Sequence, residues 1–248
     1  MDKVKRFDLQ NNEYNYPYHQ IPYIKNHSVI NFRSLGWGHK YYCYLLTVKD
    51  IIDKLNSKSL LDIGCGEGKF LSLFYGQIQN LVGVDLSEKA ISFARAFNPG
   101  INFHIKHSSD LEENFDVITA IEVLEHIPDN ELNDFFSSVY HRLNKNGSFI
   151  ICVPTIVRKV SPKHYRHYDL ELLQSHIRNS GVGFSISEVK YVYKRTLLLR
   201  FYEKAFRNKF WFIEVHFLNR LFWKYTWNTL RFATKKNGEQ LIVRMTKD

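Results

Sequence analysis

One stretch constrains the fold of this chain more than any other: residues 60–70, LLDIGCGEGKF. A short apolar run enters three glycines spaced GxGxG, at Gly64, Gly66 and Gly68. Glycine permits the positive-φ turns and the close backbone approach of a ligand that such a loop needs. A strand, a glycine turn and a helix N-terminus with unpaired N–H groups together form a ligand-binding unit of an α/β sheet.

The sequence around this loop alternates between strand-like and helix-like patterns, which predicts a parallel sheet. Apolar runs predict strands at residues 60–63, 81–84, 101–105, 115–120, 148–153, 185–192 and 240–245. Helical patterns cover residues 38–55, 68–75, 87–97, 130–143 and 169–178, the last with Asp169 as its N-cap. We therefore expect an α/β fold with a doubly wound, mostly parallel seven-stranded sheet. Residues 1–44 are polar and aromatic, and we expect irregular structure there that leads into the first helix.

Two carboxylates frame the glycine loop. Asp62 lies two residues before Gly64, and Asp85 ends the next predicted strand. An acid at that strand end is placed to accept hydrogen bonds from both hydroxyls of a ribose. The GxGxG spacing differs from the GxGxxG of dinucleotide folds, and no Lys-Ser or Lys-Thr follows, as a P-loop would require. The pattern favours a nucleoside ligand whose other end is an amino acid.

Residues 62–68, DIGCGEG, together with Asp85, resemble the first motif and the ribose-binding acid of the class I S-adenosylmethionine (SAM) dependent methyltransferases. The resemblance extends over about residues 45–193 and the last strand, and includes FDVITAIEVLEH at residues 115–126. It implies a Rossmann-like fold and SAM as the cofactor. The implied cofactor-binding residues are Asp62, Gly64, Cys65, Gly66, Gly68, Asp85, Leu86 and Asp110. Asp110 enters by alignment of its Asp-Leu step with the family's adenine-binding acid.

Two glutamates and a histidine follow the predicted fourth strand, in IEVLEHIP, residues 121–128. Open α/β sheets bind ligands beyond the carboxyl ends of their strands, so topology brings Glu122, Glu125 and His126 to the site. In one interpretation Glu122 holds a backbone or SAM group and the other two open a helix. In a second, His126 is a general base that deprotonates an acceptor hydroxyl. In a third, the three side chains bind a divalent cation.

Two narrower resemblances support the cation. ExxEH at this place resembles the ubiquinone-biosynthesis O-methyltransferases, in which these side chains are associated with a divalent cation. It also resembles the small-RNA 3′-terminal 2′-O-methyltransferases, which add a downstream histidine. Here that histidine would come from SPKHYRHYD, residues 161–169, where we rank His167 above His164. In metal-free methyltransferases a histidine of a similar segment contacts substrate. The implied metal set is Glu122, Glu125, His126 and His167, around Mg²⁺, Mn²⁺ or Zn²⁺.

The chain of 248 residues has a net charge of +9, and all of the excess lies in residues 194–236. This basic aromatic segment contains 11 Lys or Arg, 2 Asp or Glu and 12 aromatic residues, while the rest balances at 23 basic and 23 acidic residues. A set of apolar residues in it recurs at helical spacing: Phe210, Ile213, Phe217, Leu221 and Tyr225. The segment is open to three interpretations: packing on the sheet or a second subunit, docking on an anionic membrane, or binding of RNA. Its regular apolar spacing places the membrane above RNA.

The remaining composition limits the compartment. The three cysteines (Cys43, Cys65 and Cys152) form no CxxC pair, which argues against a zinc ribbon and for a reducing environment. The first residues have no apolar core of a secretory signal, and no uncharged apolar run reaches about 18 residues. We expect a cytoplasmic protein, peripheral at the membrane if the basic aromatic segment binds lipid.

These features predict an N-terminal cap at residues 1–44, a SAM-binding core at 45–193, the basic aromatic segment at 194–236 as a helical insertion, and the last core strand at 237–248. The tyrosine-rich cap, with Trp37, would form one wall of an acceptor pocket. The favoured function is transfer of a methyl group from SAM to an oxygen of a sugar, glycan or lipid-linked small molecule. The predicted catalytic residues are His126, Glu125 and Glu122. The alternatives are an RNA 2′-O-methyltransferase and a SAM-binding scaffold without turnover.

Overall fold

The strands form one large sheet and one separate hairpin in the computed structural model, which describes residues 3–11, 22–25, 28–31, 35–206, 211, 213 and 215–247. The hairpin pairs β1 (Pro22–Lys25) with β2 (Ser28–Asn31). The large sheet consists of β3 (Ser59–Ile63), β4 (Asn80–Asp85), β5 (Asn102–Ile105), β6 (Phe115–Ile121), β7 (Leu143–Pro154), β8 (Phe184–Lys194) and β9 (Gly238–Lys247).

The large sheet has the order β5-β4-β3-β6-β7-β9-β8. Its first five strands are parallel, whereas β9 runs antiparallel to both of its neighbours. The chain begins the sheet at β3, moves outward through β4 and β5, and then returns to the other side of β3 to form β6. A crevice therefore opens beyond the carboxyl end of β3, where the strand order reverses. The predicted doubly wound, mostly parallel seven-stranded sheet is confirmed.

Seven helices accompany these strands in the described residues: α1 (Lys3–Asn11), α2 (Leu35–Ile52), α3 (Glu88–Phe97), α4 (Leu132–Arg142), α5 (Leu170–Asn179), α6 (Leu197–Phe206) and α7 (His216–Tyr225). Four of them correspond to predicted helices, and α6 and α7 lie between β8 and β9, where a helical insertion was expected. The N-terminal residues differ from the irregular structure expected for them, because α1 and the β1–β2 hairpin form there. Among all the residues that the structure describes, no helix is both long and apolar enough to cross a membrane.

The helix predicted for residues 68–75 is wrong. Only a 3-10 turn forms there, at Leu71–Phe74. Gly68 has a φ of 77° and Gly76 a φ of 74°, and a right-handed helix cannot pass through either conformation. Too few residues remain between the two glycines for a regular α-helix.

The core lies on both faces of the sheet because neighbouring strand residues point to opposite sides. On β3, Leu60 packs in a cluster that includes α2 and α3 residues, and Leu61 packs with α4 and α5. The other strands of the large sheet also have residues in both clusters, except β5, which contributes only Phe103 to one of them. This packing fixes the carboxyl ends of the strands relative to one another.

The sequence predicted Asp169 as the N-cap of α5. Asp169 has extended backbone geometry, and its Oδ1 accepts a hydrogen bond from the Leu172 amide at 2.8 Å, as predicted. Replacing Asp169 with Ala should lower the free energy of unfolding by about 1 kcal/mol, because that amide loses its partner. Urea denaturation measures the change. Asp169→Asn retains an accepting oxygen and should behave as the wild type, so an equal loss in both variants would contradict the capping role.

Candidate functional site

A cavity of about 570 Å³ opens at the carboxyl ends of β3, β4 and β6. Its lining includes the glycine loop, the residues after β4 and the residues after β6. It also includes part of α1, part of α2 and the loop after β7. The cavity therefore lies where the sheet topology predicts a ligand site.

The glycine loop is bound to the neighbouring strand and touches the segment after β6. The amides of Gly64 and Cys65 donate to the Val84 carbonyl at 2.8 and 3.1 Å. Gly64 has a φ of 70°, and a Cβ built on it would lie 2.5 Å from Cγ2 of Val123. Position 64 therefore requires glycine for its backbone conformation and for the space between the two loops.

Asp85 ties the glycine loop to the end of β4. Its Oδ2 accepts from the Gly66 amide at 3.0 Å, and its Oδ1 accepts from the Ser87 amide at 2.8 Å. Burial raises the pKa of this carboxyl, while the two amide hydrogen bonds oppose the rise. Asp85 and the following Leu86 both line the cavity, as expected from the sequence.

Asp62 is buried at the floor of the cavity, near the carboxyl end of β3. The Thr119 hydroxyl donates to its Oδ1 at 2.7 Å. Burial raises the pKa of Asp62 to about 7, although this hydrogen bond favours the ionised form. A cationic group of a ligand would find here a carboxyl that ionises near neutral pH.

Two of the predicted cofactor-binding residues lie outside the cavity lining. A Cβ on Gly68 would lie 2.5 Å from the Phe103 ring, so Gly68 makes room for packing behind the loop. Asp110 is exposed and accepts a hydrogen bond from the Ser109 hydroxyl at 3.1 Å. The 3-10 turn Ser108–Asp110 brings Ser108, and not Asp110, to the cavity.

The segment after β6 lines the cavity and begins with a residue whose backbone is strained. Glu122 has a φ of 58°, which is uncommon for a residue with a side chain, and its amide donates to the Cys152 carbonyl at 2.8 Å. The next residues form a 3-10 turn, Leu124–His126, in place of the entrance to a longer helix. Such strain is concentrated at functional sites.

The loop after β7 is held against this turn by hydrogen bonds to its backbone. The Tyr165 amide donates to the Glu125 carbonyl at 2.8 Å, and Arg166 Nη1 donates to the carbonyls of Leu124 and Ile127 at 3.1 and 2.7 Å. These contacts place the His164 ring 4.7 Å from the His126 ring.

One possible ligand atom from each of Glu125, His126 and His164 lies within 4.8 Å of the others. We call these three residues the buried acid–histidine set. It differs from the predicted metal set in two members. His164 takes the place given to His167, and Glu122 lies outside the set. His167 is instead engaged by its neighbours: its Nε2 lies 2.9 Å from His164 Nδ1, and its Nδ1 lies 3.0 Å from the Arg158 carbonyl oxygen.

These contacts fix which ring nitrogens carry protons. A carbonyl oxygen only accepts, so Nδ1 of His167 donates to Arg158 and its Nε2 must then accept from Nδ1 of His164. Similarly, Nδ1 of His126 donates to the Lys163 carbonyl at 3.2 Å. In the neutral rings of both His126 and His164, the lone pair therefore lies on Nε2. Burial and the neighbouring His126 lower the pKa of His164 to about 2, so His164 is neutral at physiological pH.

The Glu125 carboxyl is fully buried, and neither of its oxygens has a hydrogen-bond partner among the described residues. Burial and the nearby Glu122 carboxyl raise its pKa well above the usual range. A buried carboxyl without a partner is costly unless a proton or a cation satisfies it. Its oxygens and the two imidazole nitrogens are donors that suit a divalent ion such as Mg²⁺, Mn²⁺ or Zn²⁺, so the residues present fit a cation.

A model of a methyltransferase domain family matches residues 39–231, which is most of the chain. The chain belongs to this methyltransferase family. The predicted resemblance to class I SAM-dependent methyltransferases is confirmed, and the family and the glycine loop agree on SAM as the cofactor.

Known relatives of this methyltransferase act in two settings. The small RNA 2′-O-methyltransferase of Rattus norvegicus is 32% identical over 135 residues, which are 47% of this chain and 33% of that protein. The ubiquinone biosynthesis O-methyltransferase of Hydrogenovibrio crunogenus is 32% identical over 83 residues, covering 30% and 34% of the two chains. The chain thus spans about a third of the length of these relatives.

Solved structures show the same fold. The magnesium protoporphyrin IX methyltransferase of Synechocystis PCC 6803, with bound SAH, has a TM-score of 0.59 and 13% sequence identity. The match covers 99% of this chain and 95% of that one.

The lining of the methyltransferase cavity also includes charged residues that the sequence analysis missed. Lys40 of α2 lies 2.6 Å from Glu239, and Arg158 lies 4.0 Å from both Glu239 and Glu122. Burial raises the pKa of Glu122, while Arg158, Lys40 and the Gln240 amide oppose the rise. One sequence signal could have revealed this part of the cavity. Glu239 and Gln240 stand near the start of the apolar last strand, and polar residues are seldom buried unless they have a partner or a function.

The helix α1 lies across the mouth of the cavity. Arg6 donates to the Pro162 carbonyl at 2.9 Å and to the His164 carbonyl, and its guanidinium stacks over the Tyr165 ring at 4.3 Å. At the other end of α1, Asn11 accepts from the Ser87 hydroxyl at 2.5 Å. Trp37 and the four tyrosines at positions 14–23, which were expected to form a cavity wall, have side chains outside the described residues. Tyr41 and Tyr44 of the same region line the cavity.

The hydrogen bond between Thr119 and Asp62 predicts a pH-dependent loss of stability. Thr119→Val keeps the shape of the side chain and removes the donor. With a pKa of about 7, Asp62 is mostly ionised at about pH 8.5 and mostly protonated at about pH 5.5. Because bonds to charged groups are stronger, the variant should lose about 2 kcal/mol of unfolding free energy at the higher pH and about 1 kcal/mol at the lower.

Urea denaturation at the two pH values measures this difference. Thr119→Ser retains the hydroxyl and serves as the control. An equal loss for Thr119→Val at both pH values would contradict the ionisation assigned to Asp62.

Proposed function

We propose that this methyltransferase moves the methyl group of SAM to a hydroxyl oxygen, with the buried acid–histidine set acting on the acceptor. The observation that carries the proposal is that His126 and His164 line the same cavity as Gly64 and Gly66. Both groups of relatives are named as O-methyltransferases, which supports an oxygen acceptor.

The cofactor would lie on the glycine loop. Gly64 and Gly66 leave the backbone open to close approach, and the Asp62 carboxyl would face the ammonium group of the amino acid part. Asp85 would accept hydrogen bonds from the ribose hydroxyls while it holds the loop through Gly66 and Ser87. Leu86 and Cys65 would provide apolar contacts around the nucleoside.

Methyl transfer is an in-line displacement at the carbon attached to the sulfonium. The acceptor oxygen forms the new bond to carbon, the carbon–sulfur bond breaks, and its electron pair returns to sulfur. The hydroxyl proton must leave the oxygen, and Nε2 of His126 would accept it, because Nδ1 donates to the Lys163 carbonyl. The protein otherwise contributes position, by holding the two reactants in one cavity.

A divalent cation held by Glu125, His126 and His164 would supply a Lewis acid that lowers the pKa of an acceptor hydroxyl. His167 would orient His164 through the bond between their rings, as outer partners of metal ligands commonly do. In that case the acid–histidine set would hold the ion. The Lys163 carbonyl orients the Nε2 lone pair of His126, and the His167 ring orients that of His164.

The acceptor is proposed to be a sugar, glycan or lipid-linked small molecule. Tyr41, Tyr44 and Lys40 of α2 line the same cavity as His126 and His164, and Arg158 lines it as well. Aromatic rings together with charged groups suit a hydroxylated molecule with an apolar part. An RNA 2′-hydroxyl is the second candidate, favoured by the similarity to the rat protein over 47% of the chain. Binding of RNA that falls steeply with salt would support this second candidate.

The SAM site can be tested by calorimetry. Asp85→Ala should weaken SAM binding at least about tenfold, or about 1.4 kcal/mol, because both the ribose contact and the Gly66 anchor are lost. Asp134→Ala changes an exposed acid on α4 and should bind SAM as the wild type does. If the wild type shows no binding, the whole proposal fails, including the alternative of a scaffold that binds SAM without turnover.

The cation can be tested by metal analysis of protein purified without chelator and by titration with Mn²⁺. Glu125→Gln and His164→Ala should each weaken Mn²⁺ binding more than about tenfold, and His167→Ala should weaken it about 10-fold. His141→Ala removes an exposed histidine of α4 and is the matched control. Retained SAM binding shows that each variant is folded. If the wild type binds none of Mg²⁺, Mn²⁺ and Zn²⁺, the cation is excluded and His126 acts as the base alone.

A further inference from the structure

The helices α6 and α7 of the basic aromatic segment pack against each other through one face each. The Tyr202 ring lies 3.8 Å from the Phe222 ring, and its hydroxyl lies 3.3 Å from Asn219 Oδ1. Tyr202 and Asn219 are buried by this contact. Trp223 and Tyr225 pack against the core that includes α2. The inward faces of both helices are therefore packed against the rest of the protein.

The outward faces of the same helices are also apolar. On α6, Leu197 and Phe201 are one turn apart and are 81% and 69% exposed. On α7, Phe217 and Leu221 are one turn apart and are 66% and 46% exposed. Further exposed apolar side chains belong to the same segment: Leu198, Trp211, Ile213, Val215 and Phe232. A soluble protein rarely leaves so many large apolar groups of one segment in water unless another surface covers them.

Basic residues interrupt this apolar surface. Arg220 and Lys224 of α7 are exposed and lie within one turn of Leu221. The segment carries the whole net charge of the chain, +9. Apolar side chains that are surrounded by Lys and Arg match the boundary of an anionic bilayer, where apolar groups enter the acyl region and cations remain among the headgroups.

We infer that the exposed apolar and basic side chains in the described part of the basic aromatic segment form a docking surface for an anionic lipid bilayer. A second copy of the chain fits less well, because a symmetric contact would place the basic side chains of this face, such as Arg220 and Lys224, against the same side chains of the other copy. RNA also fits less well. Leu197, Leu221 and Ile213 have no ring on which a base could stack, and these aliphatic side chains are among the exposed ones.

The inward face of α7, the helix that carries part of the docking surface, adjoins the wall of the cavity. The Trp223 ring lies 6.4 Å from the His39 ring on α2, and the next residue, Lys40, lines the cavity. Docking would hold the acceptor wall close to the membrane, which is the position required for a lipid-linked acceptor. The docking itself does not depend on the proposed reaction, so its test uses binding alone.

Flotation of the full chain with vesicles tests the inference. At low salt the protein should float with vesicles of phosphatidylcholine mixed with phosphatidylglycerol and remain at the bottom with phosphatidylcholine alone. High salt should weaken the binding, since part of the attraction is electrostatic. Replacing both Arg220 and Lys224 with Gln should lower the partition coefficient by roughly fivefold per residue.

The apolar contribution needs its own variant and control. A variant with Leu197, Phe201, Phe217 and Leu221 all changed to Ser should lose at least about tenfold in partition coefficient, because these side chains would enter the bilayer. A double variant of Tyr75→Ser and Ile156→Ser alters exposed apolar residues elsewhere and should float as the wild type does. SAM binding, measured in parallel, reports whether each variant is folded, and the Gln variant keeps the test decisive if the Ser variant unfolds.

Three results would overturn the inference. The first is a wild type that fails to float with anionic vesicles at low salt. The second is a stable dimer in sedimentation that the Ser variant dissociates, without flotation, which would assign the surface to a second copy. The third is binding to single-stranded RNA that is tighter than binding to vesicles and is lost in the Gln variant but retained in the Ser variant.

Discussion

The close approach of Gly64 to Val123 is the constraint on which the rest of the site depends. Any side chain at position 64 would meet the Val123 methyl group at 2.5 Å and would separate the glycine loop from the segment after β6. That segment carries Glu122, Glu125 and His126, so this one contact positions the proposed cofactor site relative to the proposed acceptor site. The parallel pairing of β3 with β6 supplies the frame, because it brings both strand ends to the same edge of the sheet.

A second constraint follows from the burial of acids at this edge. Asp62, Asp85, Glu122 and Glu125 are all removed from water, and burial raises the pKa of each. The first two are compensated by the Thr119 hydroxyl and by backbone amides, and Glu122 has Arg158 and Lys40 nearby. Glu125 is the exception, because neither of its carboxyl oxygens has a hydrogen-bond partner in the described residues. An acid in that state holds either a proton or a cation, and a bound cation is the form that the proposed reaction would use.

The sequence predicted the parts of this site that depend on local geometry. The GxGxG pattern predicts positive φ angles, and all three glycines have them. The position of Asp85 follows from the end of the next strand alone. The sequence-based prediction failed where the outcome depended on contacts between distant segments. The helix expected after the loop is a short turn because two left-handed glycines bound it. Periodicity across residues 68–75 carries no information on φ.

The choice between the two histidines of the loop after β7 shows the same limit. His164 and His167 are equivalent in the pattern KHYRHYD, and only the bonds from Tyr165 and Arg166 to the Leu124–His126 turn bring His164 to His126. Similarly, Lys40 and Gln240 are 200 residues apart in the sequence and become neighbours of Glu122 through the order of helix and strands. No local sequence pattern indicates that these residues are close together in space.

The sequence by itself determined the class of fold, the cofactor loop and the concentration of charge in residues 194–236. Each of these follows from residue type and spacing along the chain. Only the tertiary structure decided how the apolar residues of that segment are divided between core and solvent. Helical spacing groups Phe217 with Leu221 on one face, but it does not say which face meets the core. That choice was made by packing: Tyr202 meets Phe222, Trp223 meets α2, and the face that remains is the exposed one.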